Sequence, residues 1–311
     1  MPSLDDIASN RTSGAAEIKE MSIEYLLEKT GEIRSDTQPR DAIALIADAA
    51  RKLVSARPSM APVFNLANGL LLAVEKVGVG GAVDTADVVE AARDFLLRER
   101  GRTERMVGGV VGNALGVLGG MEKFVVLSWS STVNAAMVEL AKKRTGGERE
   151  DGKPLEVFVL ESRPAMEGRQ TALFLAKNGI RVTYLCDALM GTAVENSDAV
   201  VLGADAVTIH GVVNKTGSFP ISLAARHLGK PLYALTSTDK FYPASMGDIK
   251  IADRDPDEVW EKPPAGVRVL NRYFEKVPLD LLTAIITERG PLDEKETLAF
   301  LKKMPVSSLL L

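Results

Sequence analysis

The feature that most constrains the fold is an alternation of short β-rich runs and helical runs that starts near Lys123. Strands are predicted at Phe124–Ser128, Glu156–Glu161, Arg181–Cys186, Ala199–Gly203 and Pro231–Thr236. Helices are predicted between them at Ser131–Lys143, Gln170–Asn178 and Ile221–Leu228. Strands this apolar are typical of a parallel sheet that helices cover on both faces. This part of the chain is therefore predicted to be a doubly wound α/β domain.

The first third of the chain has helical rather than strand periodicity. Asp41–Ala56 and Asp84–Arg98 place apolar residues at the spacing of an amphipathic helix. Near the other end, a last amphipathic helix is predicted around Leu279–Thr287. We therefore expect a helical N-terminal domain over residues 1–120 and a sheet-containing domain over residues 121–311.

Glycine recurs at every fourth position from Gly108 to Gly120. In a helix this spacing makes a smooth face that another backbone can approach. A dinucleotide-binding loop is the alternative, but no strand precedes these glycines and no acidic residue follows at the required distance. We interpret the row as a packing face, and nicotinamide chemistry is disfavoured.

Composition excludes several classes of protein. The formal net charge is -4, which gives no general attraction to nucleic acid or to an anionic membrane. Cys186 is the single cysteine, so an internal disulfide and a cysteine-rich zinc site are excluded. The uncharged run from Met106 to Met121 is shorter than the roughly 20 residues that span a bilayer. We expect a cytoplasmic protein without a membrane segment, a metal or a cofactor.

Polar side chains occur where the predicted strands end. Arg163 follows the second strand, Asp205 follows the fourth, and the segment Asn214-Lys215-Thr216-Gly217 comes next and is expected to open a helix. Ligands of open α/β sheets bind at this edge. Arginine and lysine bind phosphate, whereas aspartate and asparagine hydrogen-bond hydroxyl groups. These residues predict a site for a sugar phosphate or a nucleotide.

Each candidate also has an ordinary structural explanation. Ser131 and Thr132 at a helix start can bind a phosphate or simply cap the helix. Arg163 can be a solvated surface charge, and Asp205 can be a turn residue. Cys186 is interpreted as a buried apolar side chain rather than a nucleophile.

Five short motifs in this order resemble one protein family over nearly the whole chain. They are Glu161-Ser-Arg-Pro164, Gly203-Ala-Asp205, Asn214-Lys-Thr-Gly217, Thr238-Asp-Lys-Phe241 and Asn271-Arg-Tyr-Phe274. The family joins the regulatory alpha, beta and delta subunits of translation initiation factor 2B to methylthioribose-1-phosphate isomerase and ribose-1,5-bisphosphate isomerase. The resemblance implies a helical N-terminal domain, a Rossmann-like C-terminal domain that also carries the dimer contacts, and a homodimer or a hexamer built from dimers.

The resemblance also implies roles for individual residues. The isomerases use an aspartate and a cysteine, and the aspartate matches Asp205, so Asp205 is the candidate catalytic residue. The cysteine would fall within Ser128-Trp129-Ser130-Ser131, where this chain has Trp129. By inference the sugar lies near Arg163 and Asp205. The other ligand contacts implied are Arg11, Gly14, Ala15, Arg57, Ser131, Thr132, Asn214, Lys215 and Lys240.

Two functions compete at this point. Because an indole cannot transfer the proton that a thiol transfers, we favour a non-catalytic initiation factor 2B-like protein that binds a sugar phosphate or nucleotide, with a translation factor as a candidate partner. The alternative is an aldose–ketose isomerase of a phosphorylated ribose, with Asp205 as the base and Ser128 or a water in place of the thiol.

Overall fold

A computed structural model describes residues 2–10, 14–78, 84–145 and 154–311. The chain forms two compact units. The first comprises Met1–Arg105, Asp239–Lys250 and Leu301–Leu311, and the second comprises Met106–Thr238 and Ile251–Phe300. The first unit is therefore discontinuous in sequence, a feature that a single boundary at residue 120 does not describe.

The N-terminal part of the chain is helical, as predicted. Its helices are α1 (Leu4–Ser9), α2 (Ala15–Gly31), α3 (Pro39–Ala56), α4 (Ala61–Gly78), α5 (Thr85–Glu99) and α6 (Arg102–Leu118). Two of these helices have side-chain caps at their N-termini. Ser3 and Asp6 form a reciprocal capping box at α1, and Asp84 and Asp87 do the same at α5. The apolar faces of α2 to α5 form the core of the first unit.

The second unit alternates strands and helices. The strands are β1 (Lys123–Leu127), β2 (Glu156–Leu160), β3 (Arg181–Leu185), β4 (Ala199–Leu202), β5 (Ala206–Thr208), β6 (Gly211–Lys215), β7 (Leu232–Leu235), β8 (Phe274–Val277), β9 (Ala284–Thr287) and β10 (Gly290–Leu292). The helices are α7 (Ser131–Thr145), α8 (Gly168–Lys177), α9 (Met190–Glu195), α10 (Ser218–His227) and α11 (Glu294–Lys303). Short 3-10 helices lie at Asp187–Leu189, Thr238–Lys240, Ala244–Met246, Pro256–Glu258 and Leu279–Leu281.

The main sheet has the strand order β10-β9-β7-β4-β1-β2-β3. Its strands run parallel except for β10, which pairs antiparallel with β9. Successive residues of β1 enter opposite cores: Phe124 and Val126 pack with α6 and α7, whereas Val125 and Leu127 pack with α9 and α10. The sheet is therefore covered on both faces, and the predicted α/β class with a helical N-terminal part and a parallel sheet after it is confirmed.

Two sequence-based expectations are wrong, and a third is met only in part. Residues Leu279–Thr287 do not form a helix; they form a 3-10 turn and β9, whose Ile285 and Ile286 are buried in the sheet. The segment Asn214-Lys-Thr-Gly217 leads into α10, whose N-terminal cap residue is Gly217, but Asn214 and Lys215 themselves end β6 in a small antiparallel sheet of order β5-β6-β8. Cys186 is exposed rather than buried, since it follows the edge strand β3.

The glycine row from Gly108 to Gly120 lies on an exposed face of α6 and the turn that follows it. A side-chain carbon built at Gly108, Gly112, Gly116 or Gly120 would meet no described atom within 4 Å. The expected packing against another backbone is therefore not seen within the described residues.

Candidate functional site

The parallel strands β1, β2 and β4 end at one edge of the main sheet. Leu127 pairs with Leu160, and Val126 pairs with Val201. The residues that follow these three strands therefore lie next to one another along the same edge of the sheet. Those residues are the turn after Leu127, the loop after Leu160 and the segment Gly203–Asp205. This is the edge at which open α/β sheets bind ligands.

Ser128 leaves β1 in an unusual and well-fixed conformation. Its φ is 65°, in the left-handed region that side chains other than glycine rarely adopt. Its backbone N–H donates to the Ser162 hydroxyl oxygen at 2.7 Å, and its carbonyl accepts from the Thr171 hydroxyl at 2.8 Å. Both of these partners are buried. The surrounding structure therefore holds Ser128 in place.

The Ser128 hydroxyl donates a hydrogen bond to the Glu167 carboxylate, with 2.9 Å between the two oxygens. The same carboxylate oxygen lies 2.5 Å from the ammonium nitrogen of Lys215. Glu167 thus joins the end of β1 to the end of β6. It comes directly before α8, in the loop that also holds Ser162 and Arg163.

Lys215 is buried and lies against two aromatic rings. Its ammonium is 4.4 Å from the ring centre of Tyr273 and 5.4 Å from that of Phe274. Such contacts between a cation and an aromatic face are favourable when the cation is shielded from water. The role of Lys215 as a phosphate ligand stays a prediction, and the Glu167 carboxylate is a partner that the sequence analysis did not anticipate.

Tyr273 is itself held by a carboxylate. Its hydroxyl donates to Glu258 at 2.6 Å, and Asn271 donates to the same oxygen at 2.8 Å. Burial, followed by the hydrogen bond to Glu258, raises the pKa of Tyr273 to about 12. Tyr273 therefore keeps its proton at neutral pH and acts as a hydrogen-bond donor and an aromatic platform.

Asp205 lies at the start of the β5–β6 hairpin. Ala206 pairs with Val213, and the backbone N–H of Asp205 donates to the Val213 carbonyl at 2.8 Å, which sets Asp205 beside Asn214. The Asp205 residue is half-buried. Its carboxylate is thus carried by a paired backbone rather than by a loose loop.

Gly203 allows the segments around Asp205 to approach one another. A side-chain carbon at Gly203 would lie 2.8 Å from the Ser130 hydroxyl oxygen and 3.7 Å from the amide oxygen of Asn214. The Asn214 amide nitrogen donates to the Ser218 hydroxyl at 2.8 Å, which fixes the orientation of the side chain. The structure therefore brings Ser130 and Asn214 close to Gly203, two residues before Asp205.

Helix α7 begins next to this group. Ser130 caps it, since the backbone N–H of Val133 donates to the Ser130 hydroxyl at 3.3 Å. Ser131 is exposed and Thr132 is buried in the first turn. Their predicted contact with an anion stays a prediction.

Arg163 is exposed, and its guanidinium donates to the Val259 carbonyl at 3.3 Å. The backbone N–H groups of Ser162 and Arg163 both donate to the Asp187 carboxylate, each at 2.8 Å. The side chain of Arg163 is therefore placed against the loop that contains Val259, whereas Lys215 lies on strand β6.

The remaining predicted ligand contacts belong to the first unit. Gly14 precedes α2 and Ala15 is its first residue. The Arg57 guanidinium donates to the carbonyls of Ile7, at 2.7 Å, and Asn10. Lys240 ends a 3-10 helix. Arg11 lies outside the described residues, and all of these contacts stay predictions.

Trp129 occupies the position at which the resemblance places a thiol. Its ring meets that of Phe174 edge to face, with 5.6 Å between the ring centres, and both side chains are partly exposed. An indole at this position can pack against a ligand but cannot transfer the proton. Cys186 follows β3 rather than β1, so it does not supply the missing thiol.

Glu167, Ser162 and Tyr273 were not singled out from the sequence as site residues. Glu167 lies between Pro164 and Gly168, two residues that indicate a tight loop. Its place in such a loop after a predicted strand is the only local feature of the sequence that points to Glu167. Tyr273 comes from a motif more than fifty residues away along the chain, and only the pairing of β6 with β8 brings it beside Lys215. Among the described residues, no cluster of three or more histidine, cysteine, aspartate or glutamate side chains could hold a metal ion.

Two curated relatives are sugar-phosphate isomerases by name. A methylthioribose-1-phosphate isomerase from Exiguobacterium sibiricum is 38% identical over 48% of this chain and 46% of the relative. A ribose 1,5-bisphosphate isomerase from Archaeoglobus fulgidus is 29% identical over 92% of this chain and 87% of the relative. The chain thus spans about half the length of the first relative and most of the second.

These relatives overturn the expectation of a non-catalytic binding protein. That expectation was wrong because it gave the loss of one thiol more importance than the rest of the chain, which resembles a protein named ribose 1,5-bisphosphate isomerase over 92% of its length and a protein named methylthioribose-1-phosphate isomerase over 48% of it. The named chemistry of the relatives supports the isomerase alternative instead.

A comparison with solved structures and a comparison with family models point to the same family. A solved structure from Pyrococcus horikoshii OT3, described as the translation initiation factor eIF-2B, superimposes with a TM-score of 0.71 over 93% of this chain and 94% of that chain, at 27% identity. Residues 11–294 match the family described as the initiation factor 2 subunit family. This chain is therefore a member of the initiation factor 2 subunit family.

Proposed function

We propose that this chain catalyses the aldose–ketose isomerisation of a phosphorylated ribose or a closely related pentose phosphate. One observation carries the proposal: the half-buried Asp205 stands beside Asn214 at the edge of the sheet where β1 and β4 end. The two relatives named as isomerases of methylthioribose 1-phosphate and ribose 1,5-bisphosphate support the same class of reaction.

Isomerisation moves a hydrogen from C2 of the sugar to C1, and a carboxylate can carry that hydrogen as a proton. Such a base contributes about 10²–10⁴ in rate. Asp205 is proposed as this base. Ser130 and Asn214 lie close to Gly203, which leads into Asp205, and they are proposed to supply the hydroxyl and amide groups that hydrogen-bond sugar hydroxyls. The reaction needs no external electron acceptor, so the proposal includes no cofactor.

The first turn of α7 is proposed to hold the phosphate on C1. Backbone N–H groups at a helix start favour an anion, and Ser131 and Thr132 add hydroxyl donors there. The contacts predicted for Arg11, Gly14, Ala15, Arg57 and Lys240 belong to the other unit, and this proposal does not depend on them.

We also propose that the protein acts in the cytoplasm and assembles at least as a homodimer. The exposed thiol of Cys186 supports a reducing compartment. In the described residues no helix combines the length and the apolar character needed to cross a bilayer. The dimer rests on the family resemblance, and sedimentation equilibrium is the measurement that tests it. A translation-factor partner stays a prediction from the same resemblance.

Phosphorus NMR tests the proposed reaction directly. An anomeric phosphate on an aldose and a phosphate ester on C1 of a ketose give distinct signals. We expect the purified chain to convert ribose 1,5-bisphosphate or methylthioribose 1-phosphate to the corresponding ketose. If neither substrate changes at protein concentrations near that of the substrate, the isomerase proposal is wrong.

A further inference from the structure

We propose that Ser128 and Glu167 form a proton relay that performs the second proton transfer of this isomerisation, with the Ser128 hydroxyl at the sugar and the Glu167 carboxylate behind it. The inference rests on the proposed function and deepens it. It is carried by the hydrogen bond of 2.9 Å from the Ser128 hydroxyl to the Glu167 carboxylate, at the turn where Trp129 offers no group that transfers protons.

The reaction itself moves three protons: one to the ring oxygen, one from C2 to C1, and one away from the C2 hydroxyl. When the ring opens, the bond from C1 to the ring oxygen breaks, and that oxygen takes a proton from water. The electron pair of the C2–H bond then forms a C1=C2 double bond while Asp205 takes the proton. Finally the O–H electron pair of the C2 hydroxyl forms the C2 carbonyl, and the double bond takes the proton from Asp205 at C1.

The relay removes the proton of the C2 hydroxyl. Ser128 accepts that proton while its own hydroxyl proton passes to Glu167. The Glu167 side chain is 31% exposed, so its carboxyl group can return the proton to solvent. One proton enters from water at the ring oxygen and one leaves through Glu167, so the enzyme is unchanged after each turnover.

Ser128 is already oriented for this role. Its backbone N–H and carbonyl are both fixed by hydroxyl groups, those of Ser162 and Thr171. The side chain therefore keeps its direction toward Glu167. Relays of this kind depend on the base being oriented by a third group.

Lys215 is the third group. Its ammonium, 2.5 Å from the Glu167 carboxylate, compensates the negative charge and fixes the position of the carboxylate. The ring of Tyr273 also contacts that ammonium, and its hydroxyl donates to Glu258. Among the described residues, the titratable groups around the relay include Lys215 directly, with Tyr273, Glu258 and Arg254 next to it.

Backbone strain is concentrated at the same place. Among the described residues, four that are not glycine have a positive φ, and three of them are Ser128, Ser162 and Met166. Met166 directly precedes Glu167. Strained backbone of this kind persists where the surrounding structure enforces it, and it clusters at functional sites. Ser128 of the relay thus lies in strained backbone, and Glu167 directly follows a second strained residue.

Ser128→Gly is the sharpest test, because glycine adopts a φ of 65° without strain. We expect Ser128→Gly to keep or raise the melting temperature while kcat for ribose 1,5-bisphosphate falls by about 10²–10⁴, the usual contribution of one proton transfer. Glu167→Gln should lower kcat similarly, with KM changed only a few-fold.

Rescue by a small carboxylate separates a relay from a merely structural contact. We expect formate to restore part of the kcat of Glu167→Ala but none of the kcat of Asp205→Asn. Glu139→Gln is the matched control: it disrupts an exposed Glu–Lys pair of 2.7 Å on α7 and should leave kcat unchanged.

The outcomes distinguish this inference from the proposed function. If the wild type turns over, Asp205→Asn is inactive, and Ser128→Gly and Glu167→Gln retain wild-type kcat, the relay is wrong and the isomerase proposal stands. If the wild type has no turnover, both are wrong. A loss of kcat in both relay variants with folding retained, together with formate rescue, supports the relay.

Discussion

At the scale of single residues, the structure shows two kinds of lysine that sequence alone does not separate. Lys215 lies against one carboxylate and two rings at the candidate site. Lys19 is fully buried in the first unit, 2.9 Å from Glu99 and 3.0 Å from Asp239. A buried ammonium must be paired, because an isolated charge is costly to remove from water. Lys19 is therefore assigned to the stability of its unit rather than to ligand binding.

This pairing predicts a dependence of stability on acidity. Burial tends to raise the pKa of Glu99, but Lys19 and then Arg102 hold the pKa below its ordinary value of 4.5. A carboxylate with a lowered pKa in the folded state contributes stability that is complete above its unfolded pKa and is lost as the pH falls through the folded one. We expect the free energy of unfolding, measured with urea, to decrease as the pH falls below 4.5.

Glu99→Gln isolates this contribution. Removing one partner of the buried ammonium should lower the free energy of unfolding at pH 7 by about 1–3 kcal/mol and flatten its decrease in acid. Asp48→Asn is the control, since Asp48 pairs with Lys52 on an exposed helix face and such pairs contribute little. Equal effects of the two substitutions would contradict the assignment of Lys19 and Glu99.

At the scale of elements, the loop between β2 and α8 decides where Glu167 stands. Helix α8 begins at Gly168, and a side-chain carbon there would lie 1.9 Å from the Leu160 carbonyl oxygen. The backbone N–H of Gly168 also donates to the Glu161 carbonyl at 3.2 Å. The loop is therefore closed on itself, and only glycine permits this closure.

Gly168→Ala should accordingly displace the loop. We expect a loss of about 1–3 kcal/mol in the free energy of unfolding, the usual cost of forcing extra volume into a packed site, together with a lower kcat because Glu167 moves. Gly191→Ala in α9 is the matched control, since a side-chain carbon there would meet no described atom within 4 Å. It should be neutral or stabilising by up to about 1 kcal/mol. A Gly168→Ala chain as stable as the wild type would show that the loop is not closed as described.

At the scale of the whole chain, the hydrophobic periodicity of the sequence predicted most strands of the main sheet correctly. Strands β1, β2, β3, β4 and β7 lie within a residue or so of their predicted positions, because apolar runs between turn residues report burial on both faces. Residues 279–287 were misassigned because Leu281, Ile285 and Ile286 have a spacing that suits either a helix face or a buried strand.

Contacts between distant segments were the part that could not be predicted. The β5-β6-β8 sheet joins residues near Asn214 to residues near Phe274, and no local pattern encodes that pairing. Asp205 and Asn214 were identified as site residues from their place after apolar runs. Glu167 was missed because its importance depends on Ser128 and Lys215, which belong to two other strands.

The central claim is that Asp205 carries the hydrogen between C2 and C1 of a phosphorylated pentose. The most direct test is kcat/KM for ribose 1,5-bisphosphate, measured for the wild type, for Asp205→Asn and for Asp280→Asn, whose carboxylate forms an exposed pair with Arg226. We expect a fall of about 10²–10⁴ for Asp205→Asn and no change for Asp280→Asn. An Asp205→Asn enzyme within a few-fold of the wild type would contradict it.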